Sequence, residues 1–104
     1  MKFNLVYITC KNKGEADKIG NHLVEDRLAA GVNIINGVNS IYWWQDKVQA
    51  GQEAILIAKT KEALVPELIA KVKSLHSYAV PCVVSLPITD GNPDFLDWIQ
   101  KETK

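Results

Sequence analysis

The chain opens with FNLVYITC, Phe3 to Cys10, where β-branched and aromatic residues occupy both parities. Such a run reads as a strand covered on both faces and central in its sheet. Asn12 follows as an N-cap, with Glu15 three residues on in a capping-box pattern. Ala16, Ile19, Leu23 and Arg27 then recur at helical spacing, with Leu28 and Ala30 beside them. This stripe predicts an amphipathic helix from about Lys13 to Ala30, stopped by Gly31. Gly20 inside it costs roughly 1 kcal/mol relative to Ala and permits a close approach to a sheet. Val32 to Trp44 (VNIINGVNSIYWW) reads as one long strand, bent at Asn36-Gly37. Polar residues from Gln45 to Lys47 and from Ala50 to Gln52 predict a connection, and Glu53 to Thr60 a third strand closing a hairpin.

Leu64, Val65, Leu68, Ile69, Val72 and Leu75 form a second helical stripe, ending near His76. Pro66 is tolerated only in a first turn, so this helix starts no earlier than about Glu62. Val80 to Ile88 is a fourth strand, and Pro81 and Pro87 place it at an edge or with unpaired ends. Asn92-Pro93 opens a short terminal helix with Phe95, Trp98 and Ile99 facing inward. The order β-α-β-β-α-β is the split βαβ, ferredoxin-like α+β plan, in one domain over residues 1–104. In that plan the first and fourth strands are antiparallel neighbours.

Composition narrows the partners. In 104 residues, 47% apolar and 23% charged is a globular balance. A chain of this length buries roughly 60–70% of its unfolded surface without staples. Twelve Lys and Arg offset twelve Asp and Glu, so no long-range field draws nucleic acid or an anionic membrane. No apolar run approaches the ~20 residues of a membrane span. Two cysteines are too few for a secreted scaffold, and the first residues lack a signal-peptide core. The expected setting is a reducing cytoplasm.

Candidate chemistry is sparse. There is no phosphate loop, C-x-x-C, H-E-x-x-H or G-x-S-x-G, and no nucleophile–base pair, so an enzyme is not expected. Cys10 closes the first strand, Cys82 opens the fourth and His76 feeds it. The predicted topology gathers all three at one end of the sheet. Two thiolates and an imidazole suit Cu(I) or Zn(II). Equally, a free Cys is a small buried hydrophobe, the pair is a candidate disulfide, and His76 complements a helix C-terminus. Tyr42-Trp43-Trp44 is the second feature. Alternation sets Trp43 opposite Tyr42 and Trp44, so one side needs a cover: the terminal helix, a partner chain or a ligand. Arg27, Lys47, Glu53, Lys59 and Lys61 are further ionisable groups able to line a pocket.

These residues resemble the CutA family of divalent-cation tolerance proteins. The likeness is carried by Leu28-Ala29-Ala30-Gly31-Val32-Asn33-Ile34, Ser40-Ile41-Tyr42-Trp43-Trp44 with Lys47, Lys59-Thr60, His76-Ser77-Tyr78-Ala79-Val80-Pro81 and Leu86-Pro87, and by Gly91-Asn92 with Trp98-Ile99. The resemblance implies a homotrimer, with Tyr42, Trp43 and Trp44 at subunit borders. It also implies a role in tolerance of copper and other divalent metal ions, with no catalytic activity and no required cofactor. Family proposals for metal ligands map to Cys10, His76 and an acidic position that is Cys82 here. That exchange of oxygen for sulfur favours Cu, Zn or Hg. The family trimer also resembles the PII signalling proteins. This implies an alternative in which a small ligand occupies an inter-subunit cleft near Trp44, Lys47, Lys59 and Tyr78.

Overall fold

The computed structural model describes residues 1–104. Its elements are β1 (Phe3–Cys10), α1 (Lys13–Glu25), β2 (Gly31–Trp44), β3 (Lys47–Lys61), a short turn of 3-10 helix (Glu62–Leu64), α2 (Val65–Leu75), β4 (Val83–Ile88) and α3 (Pro93–Glu102). The four strands form one sheet in the order β2-β3-β1-β4, with every neighbouring pair antiparallel. This is the ferredoxin-like plan, with β1 central and β4 at an edge.

The helices cover one face only. Val6, Ile8 and Cys10 of β1 and Ala54, Leu56 and Ala58 of β3 point to that face and pack with Ala16, Ile19, Leu23, Leu68 and Val72. Gly20 brings α1 close to the sheet, since a Cβ there would stand 3.1 Å from Val32 Cγ2 and 3.2 Å from Leu56 Cδ1. The other parity of β1 is not covered, against the two-sided burial its sequence predicts. Leu5, Tyr7, Ile35, Val84 and Leu86 line that open face at 36–50% exposure.

Three boundaries differ from the sequence pattern. Helix α1 ends at Glu25, not Ala30, because Arg27 turns left-handed with φ 60°. The N–H groups of Leu28 and Ala29 both return to the Leu23 carbonyl, so these residues reach the core after the turn and Gly31 begins a strand. Strand β3 starts at Lys47. Gln45 and Asp46, with φ 51° and 62°, make a two-residue hairpin turn, and the polar stretch Ala50-Gly51-Gln52 pairs with Ile41, Ser40 and Asn39. Strand β2 is bulged between Ile35 and Val38, with Gly37 at φ 71°. Strand β4 begins only at Val83, leaving Ser77 to Cys82 as a loop.

The β2–β3 hairpin runs beyond the helices, and the molecule is 44 Å long against 25 and 22 Å across. Ile41 is 78% and Trp43 74% exposed on this arm. The terminal helix does not cover it. Of the three side chains predicted to face inward on α3, only Ile99 is buried. Phe95 and Trp98 stay 44% and 39% exposed, their rings 5.2 Å apart.

Candidate cation site and adjoining aromatic cleft

Cys10 ends β1 pointing toward the helices. Two residues later the Asn12 side chain accepts the Glu15 N–H at 2.9 Å and starts α1. Glu15 lies in that first turn and reaches back, one oxygen accepting the Lys11 N–H and the other the Ser77 N–H, both at 3.0 Å. His76 caps α2 directly opposite. Its Nε2 lies 2.7 Å from the Thr9 carbonyl, which can only accept, so Nε2 carries the proton. Nδ1 then accepts the Tyr78 N–H at 3.1 Å and stands 3.8 Å from Glu15 Oε1. The His76 side chain is fully buried.

Cys10, Glu15 and His76 thereby present a thiol, a carboxylate and an imidazole whose ligand atoms lie within 4.8 Å of one another. Burial, and then the charges of Glu15 and Glu53, push the Cys10 thiol up to about 12, so it is protonated at neutral pH. Burial alone would raise the Glu15 carboxyl. The Lys11 and Ser77 donors outweigh it and leave the group below its usual range. An entering cation must displace the thiol proton and take the Nδ1 lone pair from Tyr78. Sulfur, nitrogen and oxygen donors together suit Zn(II) and Cu(I) among the candidates.

Cys82 is not in this cluster. Ile8 pairs with Val83, and the Thr9 N–H donates to the Cys82 carbonyl at 3.2 Å. Cys82 therefore stands opposite Thr9, on the open face, while Cys10 points the other way. Both thiols are free, the first buried and the second exposed. The expected Cys10–His76–Cys82 set thus loses its second sulfur within one chain, and the candidate disulfide is not formed. Glu15 takes the third place. Its sequence signal was the capping box five residues after Cys10, which reads as helix initiation alone.

A cleft adjoins the cluster through Tyr78. A half-open hollow of about 330 Å³ is lined by Tyr42, Trp44, Ser77, Tyr78, Ala79 and Val80. A second hollow, on the open face, shares Tyr42, Tyr78 and Val80 with it and is bordered also by Tyr7, Thr9, Glu53 and Cys82. The Tyr78 hydroxyl donates to Glu53 Oε2 at 2.5 Å. Burial and that bond push the Tyr78 phenol well up. Within one chain Trp44 and Tyr78 line the same hollow, and Lys47 pairs with Trp44 at the hairpin end. Lys59 is elsewhere: it pairs with Gly31 and Leu5, donates to Asn33 Oδ1, and burial lowers its pKa.

A ferredoxin-like domain with a protruding two-stranded arm, and with cysteine, carboxylate and imidazole gathered where β1 meets both helices, is the class these observations define. The CutA1 divalent ion tolerance protein family matches residues 4–102, and the chain belongs to it. A divalent-cation tolerance protein CutA from Thermus thermophilus is 46% identical over 99 residues, covering 95% of this chain and 96% of that protein. A chloroplastic CutA protein of Oryza sativa is 42% identical over 100 residues, covering 96% of this chain. The chain spans only 56% of that plant relative's length. The crystal structure of CutA1 from Oryza sativa superposes with a TM-score of 0.97 at 40% identity, covering 100% of this chain and 95% of that one. The Thermus thermophilus structure gives 0.95 at 45% identity, covering 98% and 99%.

Proposed function

We propose that the chain is a non-enzymatic, cation-binding protein of divalent-metal tolerance. Copper or another soft divalent or monovalent metal ion is held by Cys10 Sγ, the Glu15 carboxylate and His76 Nδ1. The observation that carries this reading is the approach of those three donors within 4.8 Å in a chain that belongs to a divalent ion tolerance family. The working form is a homotrimer. Its support is the uncovered apolar face of the sheet and the bare Ile41, Tyr42, Trp43 and Trp44 of the arm, a surface that one small domain leaves to water at a cost. The reading also places the protein in the cytoplasm, without membrane or nucleic-acid partners. No helix is long and apolar enough to cross a membrane, and two unpaired thiols suit a reducing compartment.

The test is a Zn(II) and Cu(I) titration of reduced protein, with sedimentation to count subunits. Parent protein should bind near one ion per chain at about three times 11.6 kDa. Cys10→Ala, Glu15→Gln and His76→Ala should each weaken binding at least tenfold, and Cys82→Ala should not. If Cys82→Ala alone weakens it, the site uses the open face instead. The second reading is a small-ligand cleft, favoured by the half-open, aromatic-lined hollow beside Tyr78. Native mass spectrometry of chelator-free protein separates the two by what is retained.

A further inference from the structure

Cys10 and the His76 side chain are fully buried and Glu15 nearly so, and no ion reaches the cluster while the chain around it keeps this arrangement. Two connections lie against it. Lys11-Asn12 is short and pinned, its Lys11 N–H on Glu15 and its Asn12 side chain on the first turn of α1. Ser77 to Cys82 is longer and belongs to no helix or strand. Its main chain makes one backbone–backbone hydrogen bond, from the Thr9 N–H to the Cys82 carbonyl at the far end. The near end is held by side chains instead. Glu15 Oε2 accepts the Ser77 N–H at 3.0 Å, His76 Nδ1 the Tyr78 N–H at 3.1 Å and Glu53 Oε2 the Tyr78 hydroxyl at 2.5 Å. Glu15 and His76 are also the residues that the cation site needs. Nδ1 has a single lone pair, so it holds Tyr78 or an ion, never both.

We propose that Ser77-Tyr78 is a latch on the cation site: Tyr78 shuts it in the empty protein by occupying His76 Nδ1, swings away when an ion takes that nitrogen, and is held shut from outside the site by Glu53. The inference rests on the cation-binding reading and adds the regulation of that site. A segment tied by so few bonds opens at far lower cost than the sheet and helices beside it. Tyr78 and the ion compete, and the coupling is reciprocal: whatever ties Tyr78 down weakens the ion's hold, and ligation loosens Tyr78. Apparent affinity is then the intrinsic affinity scaled by the open fraction. A residue that merely supported His76 would act with the opposite sign, since losing its anchor would loosen a ligand it orients. Glu53 points to the sheet face that the proposed trimer covers, so the latch belongs to the assembled protein and is tested there.

The experiment titrates reduced, assembled protein with Zn(II) against a chromophoric chelator, reading affinity and association rate, and follows backbone amide exchange at Tyr78. In the parent, Zn(II) should speed exchange of the Tyr78 amide while that of Leu56 in the core does not rise. Tyr78→Phe keeps the N–H and removes the tie to Glu53. It should bind Zn(II) about three- to thirtyfold tighter, within the range of one hydrogen bond to a charged acceptor, and faster. Equal or weaker Zn(II) binding by folded Tyr78→Phe overturns the latch and leaves the cation site standing. So does a Tyr78 amide whose exchange Zn(II) slows or leaves unchanged in the parent, a readout that holds even where the variant does not fold. A parent that binds neither Zn(II) nor Cu(I) overturns the cation site and the latch together.

Discussion

Cys10 and Cys82 stand on opposite faces of the sheet, although Cys82 accepts a backbone hydrogen bond from Thr9, the residue next to Cys10. Antiparallel pairing puts Thr9, and not Cys10, across from Cys82, and a one-residue offset sends a side chain to the other face. Mild oxidation of the folded protein should therefore give no Cys10–Cys82 crosslink by non-reducing peptide mapping. Alkylation of Cys10 should require unfolding, because the thiol is buried and its proton is held to about pH 12. A crosslink formed without loss of structure would contradict the register.

The same thiol should shape alkaline stability. The folded state raises the Cys10 thiol from 9.0 to about 12, so its stabilising contribution is fully present below about pH 9 and is lost as pH climbs toward 12. Tyr78, raised from 10.0, adds a loss of the same sign starting a pH unit later. Urea midpoints measured from pH 8 to 11 should fall. Cys10→Ala should start lower by about 1–2 kcal/mol from lost packing and then fall less steeply. Parallel curves for parent and variant would count against the burial assigned to the thiol.

On the acid side Glu15 acts with the opposite sign. Its folded carboxyl lies below the ordinary 4.5, so its contribution is present above that pH and disappears as pH falls through the depressed folded value. Glu15→Gln should cost roughly 1–3 kcal/mol at pH 7, because Lys11 and Ser77 lose a charged acceptor. The variant should also show a shallower decline below about pH 4.5 in chemical denaturation. Metal affinity, if carried by this cluster, should weaken over a far wider span, since the thiol must lose its proton to bind.

Asp46 occupies a left-handed conformation, φ 62°, in the turn that closes the arm. Asp pays less for this than most residues, and Gly pays least. Asp46→Gly should stabilise the hairpin by up to about 1 kcal/mol. The gain is read as slower amide exchange in Tyr42 to Trp44 and Lys47 to Gln49. Faster exchange there would show that the aspartate side chain holds the turn.

Much of the architecture is local and was readable without coordinates. The β-branched and aromatic run of Phe3 to Cys10, the Asn12 and Asn92 caps and the Pro66 position each depend on neighbours a few residues away, and each of these elements starts where that logic puts it. The family resemblance was likewise carried by contiguous blocks such as Tyr42-Trp43-Trp44 and His76-Ser77-Tyr78. Leu28 and Ala30 fit the helical stripe but lie beyond α1: a left-handed Arg27 ends the helix and delivers Leu28 and Ala29 to the core. Ala50-Gly51-Gln52 departs in the other direction, since a polar run becomes strand when β2 supplies the partner hydrogen bonds. The site was decided by tertiary structure alone. Whether Cys82 faced Cys10 depended on a register between residues 72 apart in sequence, in which one step reverses the face. Glu15 entered the cluster because the loop after α2 brought His76 and the Ser77 N–H to it. Glu53 became a buried carboxylate in a cleft only when Tyr78 folded over it. Such pairings are set by how strands and helices stack, which no local pattern along the chain encodes.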